Sequence, residues 1–403
     1  PRRTSGARCH QAPGRDFRSR GPAHHTPPGR GNAFSAPSGV HGIATQFGSM
    51  GLTSRVEAEK SATTDPLELL RSRQYVVLLL FGALIGVPIA AIAYLFLQSV
   101  DVAQKWLYTD LPIDLGFSDV PVLWPLPVLV VAGLLTAWAI NVLPGQGGHE
   151  PTSGLSASGT PEPVELFGVA IAAFVTLAFG AVLGPEAPLI ALGGGLAVLA
   201  IHLVRRDTPE QATVVIGAAG SFAAISTLLG SPIVGAFLLM EVVGVAGPMM
   251  GVLLAPGLLA AGVGALVFIG LDQISGWGTF SLAVPDLPPF ESIDGNQFLW
   301  AVAVGVLAAI VGTAIKRVSL VLQPAVARRR MLVTPILGAL VAVAAIGFDQ
   351  ATDHGVDQVL FSGENALAPL IRNADSWTVT ALIVLIACKG IAYTASLSSF
   401  RGG

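Results

Sequence analysis

From residue 75 onward the chain is a succession of apolar runs, nearly free of charge. Each is about as long as a helix needs to cross the hydrocarbon core of a bilayer, roughly 20 residues. These runs lie near 75–100, 122–143, 163–183, 232–247, 249–271, 297–322, 331–348 and 376–395. Backbone polar groups cannot stay unpaired in lipid, so runs of this kind must become membrane-crossing helices. The expected fold class is an all-α polytopic membrane protein. Composition agrees: 12% of residues are charged, where a soluble domain carries about 25%. Shorter apolar segments near 151–158, 187–203, 210–229 and 355–371 read as half-helices or re-entrant pieces. Broken helices at mid-depth are a common way to build an ion site.

Charge sets an expected orientation and domain layout. Arg55, Lys60, Arg71 and Arg73 precede the first run, which places residues 50–74 in the cytoplasm by the positive-inside rule. Arg205 with Arg206, and Lys316, Arg317 and Arg328 to Arg330, mark two further cytoplasmic loops. Residues 272–295 carry no Lys or Arg and read as an extracellular linker. It separates a first membrane half, 75–271, from a second, 296–403. Residues 1–49 hold seven of the 22 basic and one of the 25 acidic residues and are rich in Pro, Gly and Ser. They read as a disordered tail, or as upstream translation ahead of Met50. Cys9 and Cys388 make no disulfide framework and no metal pattern. No cofactor box, phosphate loop or nucleic-acid patch appears.

The apolar runs echo one another. Pro127 begins a run that ends before Gly147-Gly148-His149, and Pro335 begins one that ends before Asp353-His354-Gly355. If the halves start on opposite sides, the repeat is inverted, and ion sites belong between the halves.

One residue stands out within these runs. Glu186 is the only acid between Glu165 and Asp207, and it lies in Gly184-Pro185-Glu186-Ala187-Pro188. A charge at bilayer depth is costly and marks a functional position by default. Proline is pre-set for the first turn of a helix, and open amides at a helix start attract anions. A carboxylate there competes with a passing anion, so Glu186 reads as a gate. The alternative is a structural acid paired with a neighbour.

Three segments in order then carry a family resemblance. Gly184-Pro185-Glu186-Ala187-Pro188 followed by Gly193-Gly194-Gly195 resembles the Gly-Lys/Arg-Glu-Gly-Pro segment of the CLC chloride channels and chloride/proton antiporters. Gly217 to Ala224, then Gly230-Ser231-Pro232-Ile233-Val234-Gly235 and Met240-Glu241, resembles that family's next block. Gly147-Gly148-His149-Glu150-Pro151 is similar to its Gly-Ser-Gly-Ile-Pro segment. The resemblance covers about 75–403. It implies a CLC-type inverted-repeat fold and a homodimer of independent, voltage-gated anion pores in a prokaryotic plasma membrane. Chloride would be the partner ion, held at converging helix starts, with Glu186 as the gating glutamate. The implied anion-binding positions are Gly147, Gly148, His149, Pro151, Gly184, Pro185, Glu186, Ala187 and Pro188, then Ser399, Phe400, Arg401, Gly402 and Gly403. The last five approach the family's Gly-x-Phe-x-Pro motif, so the second half is expected to be truncated and inactive by itself.

Departures from the pattern shape the expectation. Ala187 stands for a glycine and Pro185 for a basic residue. Anchored on Pro151, the anion-coordinating serine falls on Gly148, so backbone amides or His149 would substitute. Ser158-Gly159-Thr160-Pro161-Glu162 spells the serine motif better, but leaves one span before Glu186. The internal proton-carrying glutamate of the exchangers falls on Val242, with Glu241 one residue earlier and about 100° away around a helix. An apolar residue there favours passive conduction, with proton-coupled exchange as the alternative. Two other classes remain: an inverted-repeat carrier of organic anions, and an intramembrane serine protease using Ser221 with His202 or His354.

Overall fold

A computed structural model describes residues 72–153, 161–205, 207–226, 228, 231–243, 248–278 and 294–401. Among them the chain is helical and contains no strand. In chain order the longer helices are α1 (Arg73–Lys105), α2 (Pro125–Val142), α3 (Leu166–Ala178), α4 (Glu186–Val204), α5 (Glu210–Ala224), α6 (Pro232–Val243), α7 (Pro248–Ser275), α8 (Gly295–Arg328), α9 (Arg330–Thr352), α10 (Glu364–Arg372) and α11 (Val379–Ser399). Seven of the described helices, α1, α2, α4, α7, α8, α9 and α11, are long and apolar enough to cross a membrane. Their starts are set locally. The Ser72 and Thr378 hydroxyls accept the amides of Tyr75 and Ala381 at 3.1 Å, capping α1 and α11.

Two of the expected segments come out differently. The run 163–183 is not one span: α3 stops at Ala178, and the chain turns at Gly180, with φ of +92°. The run 187–203, expected as a half-helix, is a full 19-residue helix. Pro185 sits at its cap and Pro188 in its first turn, where no amide is needed, so neither interrupts it. Of the segment 151–158, Pro151–Ser153 forms a single 3-10 turn, and 154–160 lie outside the described residues.

The break after α3 leaves backbone groups that lipid could not satisfy. Protein donors take them. Gln104, at the end of α1, and Tyr108, in the turn just beyond it, donate to the Leu177 and Phe179 carbonyls at 3.0 and 2.7 Å. The Phe361 amide donates to the Gly180 carbonyl, and the Val182 amide donates to the Ser396 hydroxyl at 3.0 Å. The irregular backbone leading to Glu186 is thus held by α1, by the loop after α9 and by α11.

Two apolar cores flank this break. One gathers α1, α4, α5 and α7 around Tyr94, Leu189, Ile216, Phe222 and Phe268. The other joins Leu129 of α2 and Val182 to Leu337, Phe348, Leu360 and Ala392. The echoing runs that begin near Pro127 and Pro335 are α2 and α9, and they cross in direct contact. A Cβ on Gly133 would meet the Pro335 Cα at 2.5 Å, and one on Gly338 would strike the Leu129 carbonyl. Only glycine permits the two backbones to approach so closely.

Candidate functional site

Glu186 is the first residue of α4 and is half-buried. The Leu189 amide already bonds to the Pro185 carbonyl at 3.0 Å, and Pro188 has no amide. The open amides of this helix start are therefore those of Glu186 and Ala187. The Glu186 carboxylate folds back over Gly184 and its own amide, so that a Cβ at position 184 would collide with it. It occupies the place where a helix start would hold an anion.

Two groups lie within electrostatic range of Glu186: Tyr393 on α11 and Glu364 at the start of α10. One Glu364 carboxylate oxygen is buried without a hydrogen-bond partner among the described residues. Burial, and then the charge of Glu186, push the Glu364 carboxyl up to about 7. The Lys389 ammonium donates to the carbonyls of Gln358 at 2.9 Å and Val359 at 3.3 Å.

Further along α11, its C-terminal end meets the segment 147–151. Gly147 and Gly148 turn the chain with φ of +75° and +88°, a conformation that glycine adopts without strain. Arg401 donates to the Gly148 carbonyl at 3.5 Å and to the Glu150 carboxylate, and Gln323 of α8 donates to the other Glu150 oxygen. Thr176 of α3 donates to the Arg401 carbonyl at 2.5 Å, and Phe400 packs beside Ala132 and Ala181. A pocket forms here between Glu150, Pro151, Thr152, Gln323, Arg330 and the residues 397–401. The structure thus brings together the segments 147–151 and 399–401, and ties the residues before Glu186 to the same helix end.

The amide of Gly148 is spent in a turn onto the Gly145 carbonyl at 2.8 Å, and His149 is exposed. The polar residues lining the pocket include Ser399 and Arg401, which the sequence marked, and Glu150, Thr152, Gln323 and Arg330, which it did not. Glu150 lies within the quoted segment and Thr152 directly follows it, whereas Gln323 and Arg330 come from elements remote in the chain.

Against this geometry, the family described as voltage gated chloride channel matches residues 132–403. The chain belongs to the CLC family. Its curated relatives include the ion-transport protein YfeO of Escherichia coli strain K12 / DH10B. That protein is 25% identical over 337 residues, covering 83% of this chain and 76% of the relative. YfeO of Shigella boydii serotype 4 matches with the same identity and coverage. Two solved structures share the fold. A CLC-type fluoride/proton antiporter superposes with a TM-score of 0.59 at 19% identity, covering 81% of this chain and 77% of its own. A slow cyanobacterial Cl−/H+ antiporter gives 0.58 at 16%, covering 81% and 75%.

For a CLC-family chain the remaining candidates divide as follows. Val242 and Glu241 lie on α6, and their side chains are outside the described residues, as are Gly402 and Gly403. Pro188 is buried at the α4 start, while Gly184 and Ala187 are partly exposed beside Glu186. Ser221 is not placed as a nucleophile. Its buried hydroxyl donates to the Ile190 carbonyl at 2.9 Å and the Gly217 carbonyl at 3.2 Å, tying α5 to α4. His354 lies against Trp377, with ring centroids 4.0 Å apart, and its Nδ1 faces the Thr352 carbonyl.

Proposed function

We propose that this protein carries a small monovalent anion, chloride or fluoride, across the membrane in exchange for protons, with Glu186 as the gate. The supporting observation is the Glu186 carboxylate lying over Gly184 at the open amides of α4. A carboxylate in that place blocks as a resident anion, and protonation removes its charge and its claim on the amides. The sequence favoured passive conduction, because Val242 stands where an exchanger would hold an acid. Exchange is preferred here because the two solved structures described above are named as antiporters and a second acid, Glu364, stands in range of Glu186.

In this reading the protein works as a homodimer with its N-terminal end in the cytoplasm. The decisive measurement is the reversal potential of the full-length protein in liposomes under a proton gradient. Exchange shifts that potential with the gradient, and Glu186→Gln abolishes the shift while anion flux persists. A potential that ignores the proton gradient in the wild type returns the protein to the channel class. Unchanged coupling in Glu186→Gln removes Glu186 as the gate.

A further inference from the structure

The pocket at the end of α11 has a charge imbalance. Arg401 is 8% exposed, and a buried guanidinium needs a counter-charge. Glu150 supplies one, but Arg330 lines the same pocket within electrostatic range of both. Two cations thus share one carboxylate, and Glu150 is the only acid among the lining residues. Thr152 adds an independent sign. It is 2% exposed, and its hydroxyl has no hydrogen-bond partner among the described residues. A buried hydroxyl left unpaired costs free energy unless something accepts its proton. Two guanidiniums to one carboxylate, with a buried hydroxyl left unpartnered on a lining residue, suit an anion.

The place is also correct along the chain. Tyr393, in range of Glu186, precedes Ser399 on α11 by six residues, about 9 Å of helix rise. The two carboxylates therefore come near the same helix at successive levels, Glu186 at the level of Tyr393 and Glu150 at its end.

We infer that the Arg401–Arg330–Thr152 pocket is an anion site in which Glu150 is the resident, tethered anion. A permeating halide reaches it only when the Glu150 carboxylate leaves Arg401 and Gln323. This deepens the reading of Glu186 as a gate and rests on that reading for its place in transport. The site would give the protein two tethered carboxylates in series. Each is held by donors that a free anion would otherwise use.

Chloride titration of the purified protein by calorimetry, in gluconate buffer, tests this. Glu150→Gln frees the cations and should tighten chloride binding by roughly tenfold. Adding Thr152→Val to that variant should reverse the gain. This substitution keeps the shape and removes an unpaired buried hydroxyl, so a purely structural Thr152 would leave affinity unchanged. If Glu150→Gln does not yield folded protein, Gln323→Leu loosens the same carboxylate and carries the same expectation. Unchanged affinity in these variants, while Glu186→Gln alters it, overturns this site and leaves the Glu186 gate standing. Unchanged affinity in the Thr152→Val addition also overturns it. No effect from either glutamate removes both.

Discussion

The carboxylate of Glu186 lies against Gly184 so closely that the smallest side chain at 184 would displace it. No positive φ requires glycine there; the space for the folded-back carboxylate does. Gly184→Ala therefore acts on the proposed gate rather than on the backbone. The added methyl should push the carboxylate off the amide of Glu186. Chloride affinity should rise by roughly three- to tenfold, with no loss of folded protein on size exclusion. Unchanged affinity would mean that the carboxylate is not what keeps the anion out.

Glu364 makes stability depend on pH in a defined window. Its carboxyl ionises near 7 in the folded chain and near 4.5 when unfolded. Between those values the unfolded chain releases its proton first, so stability falls as pH rises from 4.5 to about 7 and then levels off. Glu364→Gln removes this cost. Its melting temperature should exceed the wild type at pH 8 and converge with it below pH 4.5. Because the charge of Glu186 contributes to the shift, the window should narrow in Glu186→Gln.

The α2–α9 crossing should tolerate no larger residue. Gly338→Val drives a side chain into the Leu129 carbonyl and toward Phe400. Overpacking of this kind costs about 1–3 kcal/mol or more, visible as a lower melting temperature in detergent. The loss should reach the Arg401 pocket, since Phe400 leads into it.

Ser221→Ala separates structure from chemistry. It deletes a hydroxyl that ties α5 to α4, at a cost of about 1 kcal/mol. Anion flux should be unchanged, and a serine-directed activity probe should label neither form. Labelling of the wild type alone would reopen the protease class.

The sequence itself carried what depends on neighbours in the chain. Apolar run length gave the membrane helices, because lipid satisfies no backbone hydrogen bond. The two prolines around Glu186 gave the α4 start, because they lack the amide that a helix interior needs. They did not reveal that 187–203 completes a full span, because proline in a first turn and proline within a helix look alike without a boundary. The break after Ala178 was hidden for a related reason. Its freed carbonyls are paid for by Gln104, Tyr108 and Phe361, which no local pattern connects to it.

What decided the rest was packing at long range. Arg401 meets Glu150 across 251 positions, and Glu364 lies within electrostatic range of Glu186 from a stretch that reads only as a half-helix or re-entrant piece. Charges have energies only relative to their surroundings, and a linear sequence does not state those surroundings. The order of residues thus determined a membrane bundle with a carboxylate at a helix start. Only the tertiary structure decided which cation, hydroxyl or second acid each carboxylate answers to.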